Sequence, residues 1–305
     1  MYLYNTFIVI CKQTSSEPQP LFLTFSTNLP HPPFFAEPRW AERFHAPELD
    51  LAPSYYEETF TDKPPFQKEH ALDGNHGARD ELDQRRELAQ YYTMIAEMDD
   101  HFARVKAEYE RLGLWDDTVV LFIADHGDMM GAHRMRLKGT LPYEEIYRIP
   151  CMLKLPRGTR VTRMVIDDLV SSVQAPATLL KAAQIDVPAQ FHNGDFYDSL
   201  FRIEAPEDEH IFFEHYAAYW GLHPFYATRD RRFKYVRYYG DDACQVMYDL
   251  QEDPRELHNI AADPQHEAQR STLAQRADAW WRETGGHDLT YYESADFKAN
   301  THNRI

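Results

Sequence analysis

The chain reads as an α/β protein that ends in a smaller α+β unit, and three observations predict this. Apolar residues at helical spacing run from Tyr91 to Leu112. A short turn then leads into a wholly apolar, β-branched run, Thr118 to Ala124. Beyond about residue 205 the pattern changes to short aromatic-rich runs divided by turn residues. Helix, short turn and a strand covered on both faces are the repeating parts of α/β architecture, whereas short runs at close spacing mark an antiparallel sheet. With 305 residues, 43% of them apolar, the chain has material for one large domain and one small. The expected division is 1–204, a large mixed sheet flanked by helices, and 205–305, the smaller subdomain.

Taken in order, the opening MYLYNTFIVI has a short apolar stretch but neither a basic leading region nor a small-residue cleavage site. It is not read as a signal peptide, and a cytoplasmic location is the default. Leu21 to Ser26 (LFLTFS) is a strand, which the prolines of NLPHPP then break. This sets His31 just past the carboxyl end of a strand. Residues 36–86 are rich in Pro, Asp, Glu and Arg without clear periodicity, and are expected to form a long surface excursion ending in a charged helix start. Tyr91, Ile95, Met98, Phe102, Val105, Tyr109 and Leu112 alternate steps of four and three, one face of a helix, with Gly113 as its C-terminal cap. A further strand is expected around Cys151–Leu155 and a helix around Ser171–Ala183. In the last third, IFFEHYAAYW, PFYATRD, RFKYVRYY and CQVMYDL are the antiparallel strands. A closing helix, His266 to Glu283, turns Leu273, Ala277 and Trp280 to one side.

Composition excludes several classes of function. A net charge of −17 argues against nonspecific nucleic-acid binding, which requires a basic surface. Cys11, Cys151 and Cys244 show no CxxC spacing, which argues against a disulfide framework or a thiolate zinc site. No run of eighteen apolar residues occurs, so no membrane-spanning helix is expected.

The densest chemistry lies in LFIADHGDMMGAHRMRLKGTLPYEE, residues 121–145. Ligands in open α/β sheets collect beyond the carboxyl ends of strands, and Asp125 and His126 stand at such an end. A carboxylate and a neutral imidazole are both metal donors. The same pair also suits a loop cap and a hydrogen-bonded core histidine. Lys138, before Gly139 and Thr140, offers a compact cation for a tetrahedral oxyanion, or is an ordinary solvated lysine. His133 and Arg136 carry the same two readings. Glu144, Glu145 and Arg148 are consistent with charges on a short helix beginning near Pro142.

Together these segments resemble the sulfatase family of the alkaline phosphatase superfamily. GLWDDTVVLFIADHGDMMGAHRMRLKGTLPYEEIYRIP is similar to the family's second signature, PLFLTFSTNLPHPP to its strand and Pro-His-x-Pro turn, and FKYVRYY with MYDLQEDPRELHNIA to its C-terminal subdomain. The resemblance implies a sulfuric ester hydrolase in which Asp125 and His126 ligate a divalent cation, calcium first and manganese as the alternative. It implies that Lys138 and His31 hold the sulfate and leaving-group side. His133 and Arg136 are expected at the pocket wall, and Glu144 with Arg148 as an ion pair behind Lys138. Members are built around a C/S-x-P-x-R motif whose Cys or Ser becomes formylglycine. No such motif occurs in the 305 residues, and the near miss Ser16–Pro20 ends in proline where arginine is needed. The expectation is therefore an N-terminally truncated member, inactive alone, with an exposed sheet edge open to self-association. Its ligand is a small-molecule sulfate ester. Two further readings stand beside it: a phosphonate or phosphate ester hydrolase of the same superfamily, and a noncatalytic sulfate-binding or interaction protein.

Overall fold

The computed structural model describes residues 5–12, 20–40, 43–138, 141–191, 193–204, 206–215, 223–239 and 243–286; for 5–12 and 20 the description is of backbone alone. In chain order the elements are β1 (Asn5–Lys12), β2 (Pro20–Thr27), α1 (Pro53–Glu57), α2 (Pro65–Leu72), α3 (Glu81–Arg111), β3 (Thr118–Ile123), α4 (Glu144–Tyr147), β4 (Cys151–Lys154), α5 (Ala175–Ala182), β5 (Ile211–His215), β6 (Phe225–Arg229), β7 (Phe233–Tyr238), β8 (Gln245–Asp249) and α6 (Glu267–Glu283). They gather into two compact units that do not follow chain order. The first holds 1–51, 79–130 and 148–205, and the second holds 52–78, 131–147 and 206–305.

In the first unit the sheet runs β2-β1-β3-β4. Every neighbouring pair is antiparallel, so the expected large mixed sheet is, among the described residues, a four-stranded antiparallel one. The reason is β1, which sequence reading treated only as a short apolar opening. It inserts between β2 and β3, antiparallel to both, so that these two point the same way without touching. β3 carries the core of the unit. Val119 and Leu121 pack on Ala175, Leu179 and Phe196 on one side, and Val120 packs with Tyr109, Phe102, Val105 and Trp115 on the other. The all-apolar run is thus covered on both faces, as the sequence predicts.

α3 begins ten residues before the periodic face does, capped by the Asp80 carboxylate, which accepts a hydrogen bond from the Asp83 amide at 3.1 Å. The outer strands β2 and β4 leave apolar side chains in solvent, Phe22 at 61% and Met152 at 60% of full exposure. Unpaired, apolar strand edges of this kind favour pairing with another chain.

The second unit is built on the antiparallel meander β5-β6-β7-β8, as the aromatic runs predict. The segment 216–222 within IFFEHYAAYW lies outside the described residues. Alternation along the strands sends Tyr226, Tyr235 and Met247 to one face, against Leu273 and Ala277 of α6. Trp280 stacks on Phe212 and Trp281 on Tyr226 at the same interface. The opposite face carries Phe225, Tyr238 and Tyr248, which meet Tyr147, Phe66 and Tyr143 respectively. Hence 36–86 is not simply a surface excursion: Phe66, Gln67, Glu58 and Lys63 are buried. No described helix is long and apolar enough to cross a membrane.

Leu121 has no exposed surface and sits at the centre of the first unit's core. Leu121→Ala should lower unfolding stability by about 2–5 kcal/mol through lost contact and residual cavity. A fall in denaturant midpoint at unchanged slope is the expected readout.

Candidate functional site

In the first unit, β2 ends at Thr27 and β3 at Ile123, and the register sets Asn5 opposite Thr27 and Thr6 opposite Ile123. The two carboxyl ends therefore lie at one edge of the sheet, with one strand between them. His31 follows the first and Asp125 and His126 the second, so the sheet brings these three sequence-predicted residues to the same edge. The turn after β2 is closed by the His31 amide donating to the Asn28 carbonyl at 2.7 Å. Nδ1 of His31 lies 2.7 Å from the Pro32 carbonyl, an acceptor only, so Nδ1 bears the proton and Nε2 the lone pair.

His126 repeats that arrangement. Its Nδ1 donates to the Gly127 carbonyl at 2.8 Å, which leaves Nε2 as a donor atom for a metal. The Asp125 carboxylate is oriented too. Its Oδ1 accepts from the His126 amide at 2.9 Å, and its Oδ2 lies 3.8 Å from Nε2. Two donor atoms thus face one another at more than hydrogen-bonding distance, an arrangement that fits two ligands of one divalent cation. Among the described residues no group of three or more His, Cys, Asp or Glu is placed to hold a metal. The pair is a partial ligand set, short of the six or more oxygens calcium takes.

In the second unit the segment from Gly131 to Lys138 is a tight turn stitched to 75–78. The Ala78 amide donates to the Arg134 carbonyl at 2.7 Å, and the Arg136 amide to the His76 carbonyl at 2.6 Å. The buried Arg136 guanidinium donates to the Asn75 carbonyl at 3.1 Å, so this side chain braces the neighbouring loop. His133 is fully buried. Its Nδ1 lies 2.5 Å from Glu58 Oε2, its ring stacks on Tyr143 at 4.0 Å between centroids, and its amide donates to Ser54 Oγ at 3.2 Å. Lys138 is half-buried at the end of this turn, and Gly139 and Thr140 lie outside the described residues.

Two buried charge clusters support these elements, and sequence reading found neither. In the first, Lys63 Nζ donates to the same Glu58 oxygen at 2.5 Å, both side chains having zero exposure. Burial alone would raise the Glu58 carboxyl. The hydrogen bond from His133 and the charge of Lys63 outweigh it and hold the group at about 2. Burial pushes the His133 imidazole down, and Lys63 adds to that, so the ring is neutral. In the second cluster Glu144 accepts from Arg229 at 2.6 Å and from Lys234 at 3.3 Å, and its amide donates to Glu256 at 2.9 Å. Lys234 also pairs with Glu256, both side chains buried. Glu144 thus pairs with two strand residues, where sequence reading paired it with Arg148. No local pattern marks Glu58 or Lys63; the only signal nearby is Pro64-Pro65, a helix start that is silent on burial.

Comparison with known proteins places this geometry in context. Residues 3–185 match the family model described as Sulfatase, and residues 131–282 match that of the N-sulphoglucosamine sulphohydrolase C-terminal region. The chain is 26% identical to a multifunctional alkaline phosphatase superfamily protein of Trinickia caryophylli, over 93% of this chain and 60% of that protein. It is 28% identical to arylsulfatase K of Bos taurus, over 82% of this chain and 49% of that protein. The chain thus spans about half the length of these curated relatives. Among solved structures it is similar in fold to a phosphonate monoester hydrolase from Silicibacter pomeroyi, with TM-score 0.70 and 22% identity over 85% of this chain and 55% of that one. A putative sulfatase from Bacteroides thetaiotaomicron gives 0.67 and 21%, over 81% and 54%.

Burial raises the Glu256 carboxyl from 4.5 to about 7, with Lys234 opposing. Between those values the folded state binds more protons than the unfolded state. The contribution of this group is therefore fully present below pH 4.5 and is lost as pH rises towards 7. Glu256→Gln removes that dependence. The melting temperature of the variant relative to the parent should rise between pH 5 and pH 7.5; a flat difference would mean that Lys234 keeps the carboxylate ionised throughout.

Proposed function

Because this chain belongs to the sulfatase family, we propose that it supplies the metal-pair and cationic side of a site that hydrolyses sulfate esters. The single observation that carries this reading is the Asp125–His126 pair, in which Gly127 fixes the imidazole proton on Nδ1 and leaves Nε2 facing the carboxylate. A divalent ion held there would supply positive charge to neutralise sulfate oxygens; the carboxylate suits calcium or manganese, and the imidazole nitrogen weighs towards the transition metal. Lys138 holds a sulfate oxygen by a charge-assisted hydrogen bond. His31, with its lone pair on Nε2, sits on the leaving-group side, where an imidazole exchanges a proton with the departing alcohol. The reading assigns the nucleophile to no residue of this chain, since C/S-x-P-x-R occurs nowhere in it.

A second reading takes a phosphonate or phosphate ester in place of the sulfate. The same metal pair and cation fit either tetrahedral anion, and phosphonate monoester hydrolases share the fold. Binding of an aryl sulfate against binding of an aryl phosphonate separates the two. A third, noncatalytic reading is favoured by the apolar β2 edge, where Leu21, Phe22 and Leu23 are exposed and a second copy of the chain could pair. Phe22→Lys should then shift the sedimentation profile towards monomer; an unchanged profile would remove this reading.

Titration with manganese chloride should give weak one-to-one binding, which Asp125→Ala or His126→Ala abolishes. Binding that survives both substitutions would overturn the metal assignment. Lys138→Ala should weaken inorganic sulfate binding about ten- to hundredfold, the loss of one charge-assisted hydrogen bond. The 305-residue chain alone is expected to turn over neither ester.

A further inference from the structure

The turn that ends in Lys138 is costly to hold. Gly131, His133, Arg134 and Leu137 have φ of 99°, 51°, 58° and 63°. Left-handed backbone at non-glycine residues is strained and persists only where the surroundings fix it. Backbone hydrogen bonds close the turn on itself, Gly131 to Met135 at 2.8 Å and Arg134 to Gly131 at 3.0 Å. Bonds to 75–78 tie its far side to the unit; His133 ties its near side, and does so through a buried side chain.

The His133 ring enters a closed compartment. Glu58 Oε1 is taken by the Phe60 amide at 2.7 Å. Glu58 Oε2 receives both Lys63 Nζ and His133 Nδ1 at 2.5 Å. Lys63 Nζ and His133 Nδ1 are 3.2 Å apart, two donors converging on one oxygen. Lys63 also lies over the Tyr143 ring at 4.8 Å, whose hydroxyl donates to Gln67 at 2.6 Å. The remaining His133 nitrogen, Nε2, is buried without a hydrogen-bond partner and lies 4.0 Å from Glu145 Oε1. No substrate reaches a ring so enclosed. Its chemistry is directed inward, which leaves its backbone as what it controls.

We propose that Glu58, Lys63 and His133 are positioning residues for Lys138: Glu58 accepts the Nδ1 proton of His133, Lys63 cancels the carboxylate charge, and the anchored ring fixes the strained turn that delivers Lys138. The inference rests on the reading of Lys138 as a sulfate-holding group. The cluster holds His133 by a hydrogen bond that water does not reach, so the four residues between His133 and Lys138 start from a fixed point and are held again by the bonds of Arg134 and Arg136 to 75–78.

Two double variants test it. E58L/K63M removes acceptor and cation together, leaving no unpaired buried charge, a replacement proteins often tolerate. E58Q/K63M also removes both charges but keeps an oxygen for His133 Nδ1–H. Hydrogen exchange at amides 131–138 should accelerate about tenfold or more in E58L/K63M, as expected for loss of a bond worth about 1–2 kcal/mol. It should return towards the parent in E58Q/K63M. Inorganic sulfate binding, followed on the Lys138 ammonium signal, should weaken and recover in parallel. Equal exchange in all three chains, or equal loss in both variants, would overturn the proposal. If either variant fails to fold, the parent alone decides: nitrogen chemical shifts of His133 should report the Nδ1–H form at neutral pH, and the Nε2–H form would overturn it. Absence of sulfate binding in the parent, with the exchange series as expected, supports the anchor and overturns the role of Lys138.

Discussion

The second unit depends on one constraint: a carboxylate taken out of water must be neutralised where it sits. Glu58 meets it with two donors on one oxygen and a backbone amide on the other. Glu144 meets it with Arg229 and Lys234, the latter shared with Glu256. Desolvating such groups costs several kcal/mol per ion, and their attraction offsets that only when the geometry is right. A network of this kind is therefore a weak source of net stability and a strong source of uniqueness. An alternative packing that displaced Lys63 or Lys234 would leave a bare charge in the interior.

The candidate site divides its chemistry by element. The sheet of the first unit sets Asp125, His126 and His31 at one edge, because β1 aligns the carboxyl ends of β2 and β3. In both histidines at that edge a carbonyl one residue along fixes the proton on Nδ1. For His126 this leaves Nε2 as the atom that faces the Asp125 carboxylate. Within the second unit, burial fixes the roles of the charged side chains. His133, expected at the pocket wall, instead has its one hydrogen-bonding nitrogen satisfied from inside, and Arg136 spends its guanidinium on a backbone carbonyl.

What the sequence revealed follows from how local each cause is. The β3 run was legible because both faces of one strand are apolar, and α3 because its buried residues repeat at 3.6. The meander showed itself through turn residues between aromatic runs, and Asp125 and His126 through their place after a strand. The insertion of β1 was illegible, since strand pairing depends on partners up to 117 positions away, as Thr6 and Ile123 are. So was the interior of 52–78. Glu58 and Lys63 look like surface residues in any window, and their burial is decided by His133, 75 and 70 positions on. Periodicity sees apolar contacts; it does not see charges that cancel at long range.

The chain crosses between the two units five times, at 51/52, 78/79, 130/131, 147/148 and 205/206. Neither unit is thus an uninterrupted stretch, and no single proteolytic cut or cloning boundary frees one from the other. Synthesis inherits the same order. By residue 205 every residue of the first unit has emerged, while the second has only 52–78 and 131–147. Until β5 to β8 arrive, Glu58, Lys63 and His133 lack Tyr248, whose ring lies 5.8 Å from the lysine nitrogen. Closing that compartment therefore requires β8, the last strand of the C-terminal sheet.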